Sequence, residues 1–298
     1  MNPVVLILIA VVFVVVVFLL MRKRKLVKVE GSLKFKVKGV TFKMVPVEGG
    51  TFIMGDPDFP DHISAYKPKP LHSVTLSSYY IGQTQVTQRL WKAVMGYNPS
   101  YFNLFGSFTH YSSHSRFYGR NLQRPVEYVS WDECQKFIEK LNEITGKSFR
   151  LPTEAEWEFA ARGGNKSQGY KLSGSNKIDE VGWYWKNSGK KKCKYDWEEK
   201  NKYNFHPHAV AKKKPNELGI YDMSGNVWEW CHDKYEDYSD TPQTNPTGPE
   251  NYYPGCDIVC RGGSAFSVVV NCFASARHSG TNVDKYRWNG LRLVLQDT

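Results

Sequence analysis

The hydrophobic pattern opens with an uncharged apolar run, Pro3–Met21, long enough to cross a bilayer as one helix. Strict alternation follows at Lys34-Phe-Lys-Val-Lys38, and Val40–Met54 carries two short apolar runs about Gly49-Gly50, which reads as a hairpin. Ser73–Ile81 offers a further strand pair. The period then becomes helical: Thr87 caps a segment whose Leu90, Trp91, Val94 and Met95 share one face, and Gly96 ends it. Two more helices open on capping boxes, Ser130 with Glu133 and Thr153 with Glu156. The first turns Cys134, Phe137, Ile138 and Leu141 inward; the second buries Trp157, Ala160 and Ala161 and stops at Gly163-Gly164. Phe102–Gln123 lacks any period and reads as surface loop, and Lys-rich Asn165–Pro215 reads as long ordered loops. Weak strand signals return near Gly225–Trp230, Ile258–Gly262 and Leu291–Leu295.

The densest chemistry lies in Gly219–Asp233, where two carboxylates, Asp222 and Glu229, flank a Ser-Gly-Asn turn. The carbonyls of Gly225 and Val227 can converge there with both carboxylates on one hard cation, because Ca²⁺ takes oxygen ligands. A second reading has a tight turn entering a core strand, with Glu229 paired to an arginine. In either case Trp228 and Trp230 fall on one face of an extended segment and Glu229 on the other.

Composition narrows the class. With 298 residues, 41% hydrophobic and 14% aromatic, the chain can bury a large core built from rings. The net charge of +11 is local: Arg22–Lys38 holds eight Lys or Arg against Glu30 alone. The basicity therefore flanks the apolar run and does not point to nucleic acid. The expected organisation is a membrane anchor at 1–21, a basic juxtamembrane segment at 22–39 and one domain at 40–298. The positive-inside rule keeps Arg22–Lys25, and with it the domain, in the cytoplasm; extracytoplasmic display needs the opposite orientation. The six cysteines form no zinc spacing, and Cys256 and Cys260 are open to pairing or to remaining thiols.

Five ordered blocks then carry a resemblance: Val47–Gly55, Pro125–Trp131, Arg150–Glu158, Asn216–Trp230, and Arg261-Gly-Gly-Ser264 with Gly290-Leu-Arg-Leu293. Together they are similar to the formylglycine-generating enzyme, or sulfatase-modifying factor, family over roughly Thr41–Leu295. The resemblance implies an α+β, C-type-lectin-like fold with short strands, two to three helices and much irregular structure. It also implies a Ca²⁺ site formed by Asp222, Gly225, Val227 and Glu229.

In the enzymes of this family two cysteines after the Gly-Gly-Ser element bind copper and oxidise a substrate cysteine. Here Cys272 matches the second, but Ser267 stands at the first. A serine hydroxyl is a poor ligand for soft Cu(I), so neither copper nor this oxidase activity is expected. Glu154, Glu156 and Glu158 suit a helix N-terminus better than a reaction centre. His206-Pro-His208 lacks a third metal ligand in sequence.

Between the last framework blocks, Ala265–Asn289 is irregular and rich in aromatic and small residues. From Phe266 to Arg287 every residue except Lys285 is of a type reached by changing both adenines of an AAC codon. This resembles the variable proteins of diversity-generating retroelements, whose C-terminal segment forms a ligand-binding surface. The residues expected to meet a protein or other macromolecular ligand are Ala265, Phe266, Ser267, Val268, Val270, Phe273, His278, Tyr286, Arg287 and Trp288. The chain is thus expected to be a membrane-anchored binding domain. The alternatives are an oxidoreductase using Cys272 and a scaffold subunit of a membrane complex.

Overall fold

The computed structural model describes residues 29–60, 67–103, 121–189, 205–249 and 251–296. The expected anchor, the Arg22–Lys25 cluster, Cys193 and most of the 102–123 loop lie outside the described residues. Among the described residues no helix is long and apolar enough to cross a membrane.

Three sheets form the frame. Strands β1 (Leu33–Val37), β2 (Val40–Val47), β5 (Tyr79–Gly82), β12 (Val294–Gln296) and β6 (Phe149–Arg150) make a five-stranded sheet in that order. The second sheet runs β10 (Arg277–Thr281), β9 (Asp257–Arg261), β7 (Trp228–Lys234) and β11 (Asn289–Leu291), with β11 parallel to β7. In the third, β4 (His72–Leu76) lies between β3 (Gly50–Met54) and β8 (Gln243–Thr244). Among the described residues the α-helices are α1 (Gln88–Met95), α2 (Trp131–Thr145), α3 (Glu154–Ala161) and the single turn α4 (Ile178–Val181).

Alternation along the strands sorts side chains into two cores. Met44, Trp228, Trp230, Ile258, Cys260, Leu291 and Leu295 point to one core, closed by α1 and α2. Their neighbours Val45, Cys231, Val259 and Val294 point to the other, closed by α3 and the β3–β4 pair. The face assignment for Trp228, Trp230 and Glu229 holds, but β7 is covered on both sides.

The caps form as the sequence predicts. Thr87 accepts from the Leu90 N–H, both capping boxes are complete, and Gly96 and Gly146 close α1 and α2 in the left-handed region. The hairpin expected about Gly49-Gly50 does not form. The true hairpin is β1–β2, while β2 pairs with β5 and β3 with β4, so the chain changes sheet at Gly49. A Cβ on Gly49 would lie 2.5 Å from the Leu76 carbonyl, which is why that crossing takes glycine. Likewise, β4 and β5, expected as a pair, belong to different sheets. Because β1 is part of the frame, the folded unit reaches back to Leu33, earlier than the boundary expected at 40.

Candidate functional site

The Gly219–Asp233 stretch folds as a buried loop entering β7. Asp222 and Asn226 take left-handed backbone (φ 60° and 70°), and Gly225 (φ 86°) passes so close to Trp183 that a Cβ would lie 2.2 Å from its carbonyl oxygen. Glu229 is fully paired: Arg292 donates to both carboxylate oxygens at 2.7 and 2.8 Å, and the Trp157 indole N–H at 2.7 Å. The arginine-paired reading of this glutamate is therefore correct as far as it goes.

The cation reading is tested by the polar atoms that remain. The carbonyl oxygens of Asp222, Gly225 and Val227 and Oε1 of Glu229 all lie 3.0–3.4 Å from one atom, the Gln85 amide nitrogen. Oδ2 of Asp222 accepts the Ala211 N–H at 2.7 Å, whereas Oδ1 of Asp222 and Oε1 of Gln85 are buried without a donor. Burial pushes the Asp222 carboxyl up to about 6, against the pull of the Ala211 N–H and Arg292. Convergent oxygens with unpaired acceptors match the donor set of a hard cation, so the residues fit Ca²⁺. Among the described residues no group of three or more His, Cys, Asp or Glu side chains could hold a metal ion, and this loop offers two carboxylates with backbone carbonyls.

This loop also carries the C-terminal segment. Asn226 accepts the Ala265 N–H on its carbonyl and holds the His208 backbone through its side chain (2.8, 2.8 and 3.2 Å). Ser224 donates to the Cys272 carbonyl and Ser188 to the Ala265 carbonyl. Asn226 and Ser224 were not among the sequence candidates; their signal was the Ser-Gly-Asn turn itself.

The ten expected contact residues do not form one surface. Ala265, Ser267 and Val270 are 0%, 8% and 9% exposed and face inward, a correction to their expected role. Ser267 is drawn in by hydrogen bonds between its hydroxyl and Ser264, and Ala265 by bonds at both its N–H and carbonyl. Val268, Val270 and Phe273 turn to a separate apolar cluster with Phe59 and Ala276. Half-buried His278 packs on Trp228 from β10.

The remaining four meet. Phe266 and Trp288 lie 6.1 Å apart between ring centroids, Tyr286 stacks on Trp288 at 5.8 Å, and exposed Arg287 lies over Phe266 and Trp288 at 5.4 and 5.6 Å. Residues far away in sequence extend this surface. Tyr101 sits under Arg287 at 5.8 Å and is tilted against exposed Tyr128, and Phe102 and Phe205 pack on Phe266. Phe102, expected in a surface loop, is buried. Behind it, buried Glu127 accepts the Tyr101 and Phe102 N–H groups at 3.1 and 2.9 Å. Burial raises the Glu127 carboxyl to about 8 despite those bonds. Arg287 has no carboxylate partner among the described residues, so its charge faces outward amid three rings.

No two-thiolate centre can assemble from Ser267 and Cys272 as they stand. Burial pushes the Cys272 thiol up to about 12, keeping it protonated at neutral pH, and the Ser267 hydroxyl is engaged with Ser264. Cys134, Cys231, Cys256, Cys260 and Cys272 are all free and buried. His208 stacks on Trp183 at 3.8 Å and bonds the Ser188 carbonyl through Nε2, 4.7 Å from the His206 ring. The three glutamates of α3 are structural. Glu154 meets Arg277, Glu156 meets Arg150, and Glu158 meets Arg162 and Arg261.

Short, curled sheets, few helices and long ordered loops that display a C-terminal surface define a C-type-lectin-like domain of mixed α+β class. Residues 32–297 match the sulfatase-modifying factor enzyme 1-like domain, and the chain belongs to that family. It is similar to the chaperone protein LppX of Paenibacillus barcinonensis, 37% identical over 242 residues that cover 68% of this chain and 75% of that one. The formylglycine-generating enzyme of Streptomyces coelicolor is 29% identical over 266 residues, 74% of this chain and 77% of that one. Among solved structures, variable protein 1 of Treponema denticola superposes with a TM-score of 0.71 at 31% identity, covering 90% of this chain and 99% of that one.

Proposed function

We propose that this chain is a non-catalytic, membrane-anchored binding protein whose C-terminal surface captures a protein ligand. The observation that carries this reading is the surface of Phe266, Tyr286, Arg287 and Trp288 beside Tyr101 and Tyr128, rigid rings with one uncompensated guanidinium at their centre. Aromatic and arginine side chains concentrate binding energy at protein interfaces, because they offer large areas at low conformational cost. The Paenibacillus relative is named a chaperone, which supports a protein ligand, and the Treponema structure is named a variable protein, which supports a diversified surface. Residues 1–21 form the anchor in this proposal, with Arg22–Lys25 on the cytoplasmic side. Ca²⁺ at Asp222, Gly225, Val227 and Glu229 braces the loop that holds Ala265 and Cys272.

Against the oxidase reading stands the chemistry of Ser267 and Cys272: one protonated, buried thiol cannot provide two sulfur ligands. The direct test incubates the full chain in detergent with copper and a peptide containing a sulfatase-type cysteine, followed by mass spectrometry. An unchanged peptide thiol is expected; its loss, abolished by Cys272→Ser, overturns the binding reading. In parallel, sequencing this coding region across isolates should show substitutions concentrated in codons 266–288, and an even spread counts against a diversified ligand surface.

A further inference from the structure

The oxygen cage of the Gly219–Asp233 loop has more acceptors than its donor can serve. A carboxamide nitrogen carries two protons, yet four oxygens surround that of Gln85 at 3.0–3.4 Å. None of the Asp222, Gly225 and Val227 carbonyls accepts a backbone N–H among the described residues. Two further oxygens, Oδ1 of Asp222 and Oε1 of Gln85, have no donor, although their residues are only 3% and 1% exposed. Unpaired acceptors at such depth are costly, and one cation serves several at once.

We propose that Gln85 is a two-way ligand of this loop, its amide nitrogen closing the cage when no cation is bound and its amide oxygen coordinating Ca²⁺ when one is. A half-turn about the terminal torsion of the side chain exchanges the two atoms, and that torsion is soft. The swap brings Oε1, now without a partner, to the oxygens that Nε2 serves incompletely. Nothing else in the cage has to leave: Arg292 keeps Glu229, and Ala211 keeps Oδ2 of Asp222. A cleft of about 690 Å³, lined in part by Thr41, Lys43, Thr87 and Arg89, reaches Gln85 and Ala211. Loading therefore replaces one partner of the loop, the amide nitrogen, by another, the amide oxygen of the same residue. This inference rests on the Ca²⁺ reading of the same loop.

The test uses the full chain in detergent micelles with Ca²⁺ alone, and with Tb³⁺ as a luminescent substitute excited through Trp157, whose indole touches Glu229. Wild type should bind both ions, with a rise in melting temperature reversed by EDTA. Gln85→Glu keeps the oxygen and adds charge, and should bind Ca²⁺ at least tenfold more tightly. Gln85→Met fills the same volume without either polar atom, and should bind at least tenfold more weakly while melting lower without metal. Equal or tighter binding by Gln85→Met shows a mere plug and overturns the proposal, as does an unchanged affinity in Gln85→Glu. If no ion binds to wild type or to either variant, the Ca²⁺ reading itself fails. If only Gln85→Glu binds, the cage is a cation site that wild-type Gln85 keeps closed, and the two-way role fails alone.

Discussion

Arg287 and Glu127 show how a single residue acts in opposite ways at this surface. Arg287 is exposed over three rings and supports nothing behind it. Arg287→Ala should change stability by no more than about 0.5 kcal/mol while removing the guanidinium that lies over the surface's rings. Glu127 is buried and never reaches the surface, yet it fixes the backbone of Tyr101 and Phe102. Glu127→Ala leaves both N–H groups without an acceptor and should cost about 1–3 kcal/mol in urea unfolding, with Glu127→Gln, which keeps one oxygen, losing less. Equal stability of all three proteins would show that the Tyr101 loop is not held this way. Neither Glu127 nor Tyr101 was legible as a site residue. Their spacing in sequence carries no period, and Tyr101 meets Arg287 only across the fold.

Among the elements, α3 departs most from the expectation drawn for it. The pattern showed Trp157, Ala160 and Ala161 inward, whereas all eight residues of the helix are buried. Glutamates that suit a solvated first turn are instead aimed at arginines. Burial opposes ionisation of Glu158, but Arg162 and Arg261 outweigh it and hold the carboxyl below its ordinary range. Glu158→Gln leaves fully buried Arg261 without its closest counter-charge and should cost about 3–5 kcal/mol. Thr153→Ala, which removes only the cap of the same helix, should cost about 1 kcal/mol. Comparable losses in the two variants, read from denaturant midpoints, would remove the ion pair from its central place. The sheet change at Gly49 was illegible for a related reason. Two apolar runs about a Gly-Gly pair fit a hairpin and a crossing equally well until β4 and β5 supply their partners.

At the scale of the molecule, pH and a bound cation should act on neighbouring loops. Burial against Trp183 lowers the His208 imidazole to about 4, although its bond to the Ser188 carbonyl favours the charged form. A depressed base is neutral in the fold, so its contribution is complete above the unfolded value near 6.5 and is lost as pH falls from there to about 4. About 1–3 kcal/mol of stability should disappear over that window, discounted for the partial exposure of the ring, and His208→Gln should flatten the profile there. Calcium at a hundredfold excess over its dissociation constant should add about 2.7 kcal/mol, read as an EDTA-reversible rise in Tm.

What the sequence by itself determined is local: helix caps, alternating strands, the Ser-Gly-Asn turn between two carboxylates, and the loss of one thiol at Ser267. Each rests on residues within one or two turns of chain, where backbone preference and side-chain period suffice. Only the tertiary structure decided which candidates share a surface. It turned Ala265, Ser267 and Val270 inward, and it packed Phe266 on Phe102 while setting Arg287 over Phe266 and Tyr101. It also brought Gln85 to the oxygens of Asp222, Gly225, Val227 and Glu229. These meetings follow from satisfying buried polar groups in an irregular fold, a condition on the whole molecule that no stretch of sequence expresses alone.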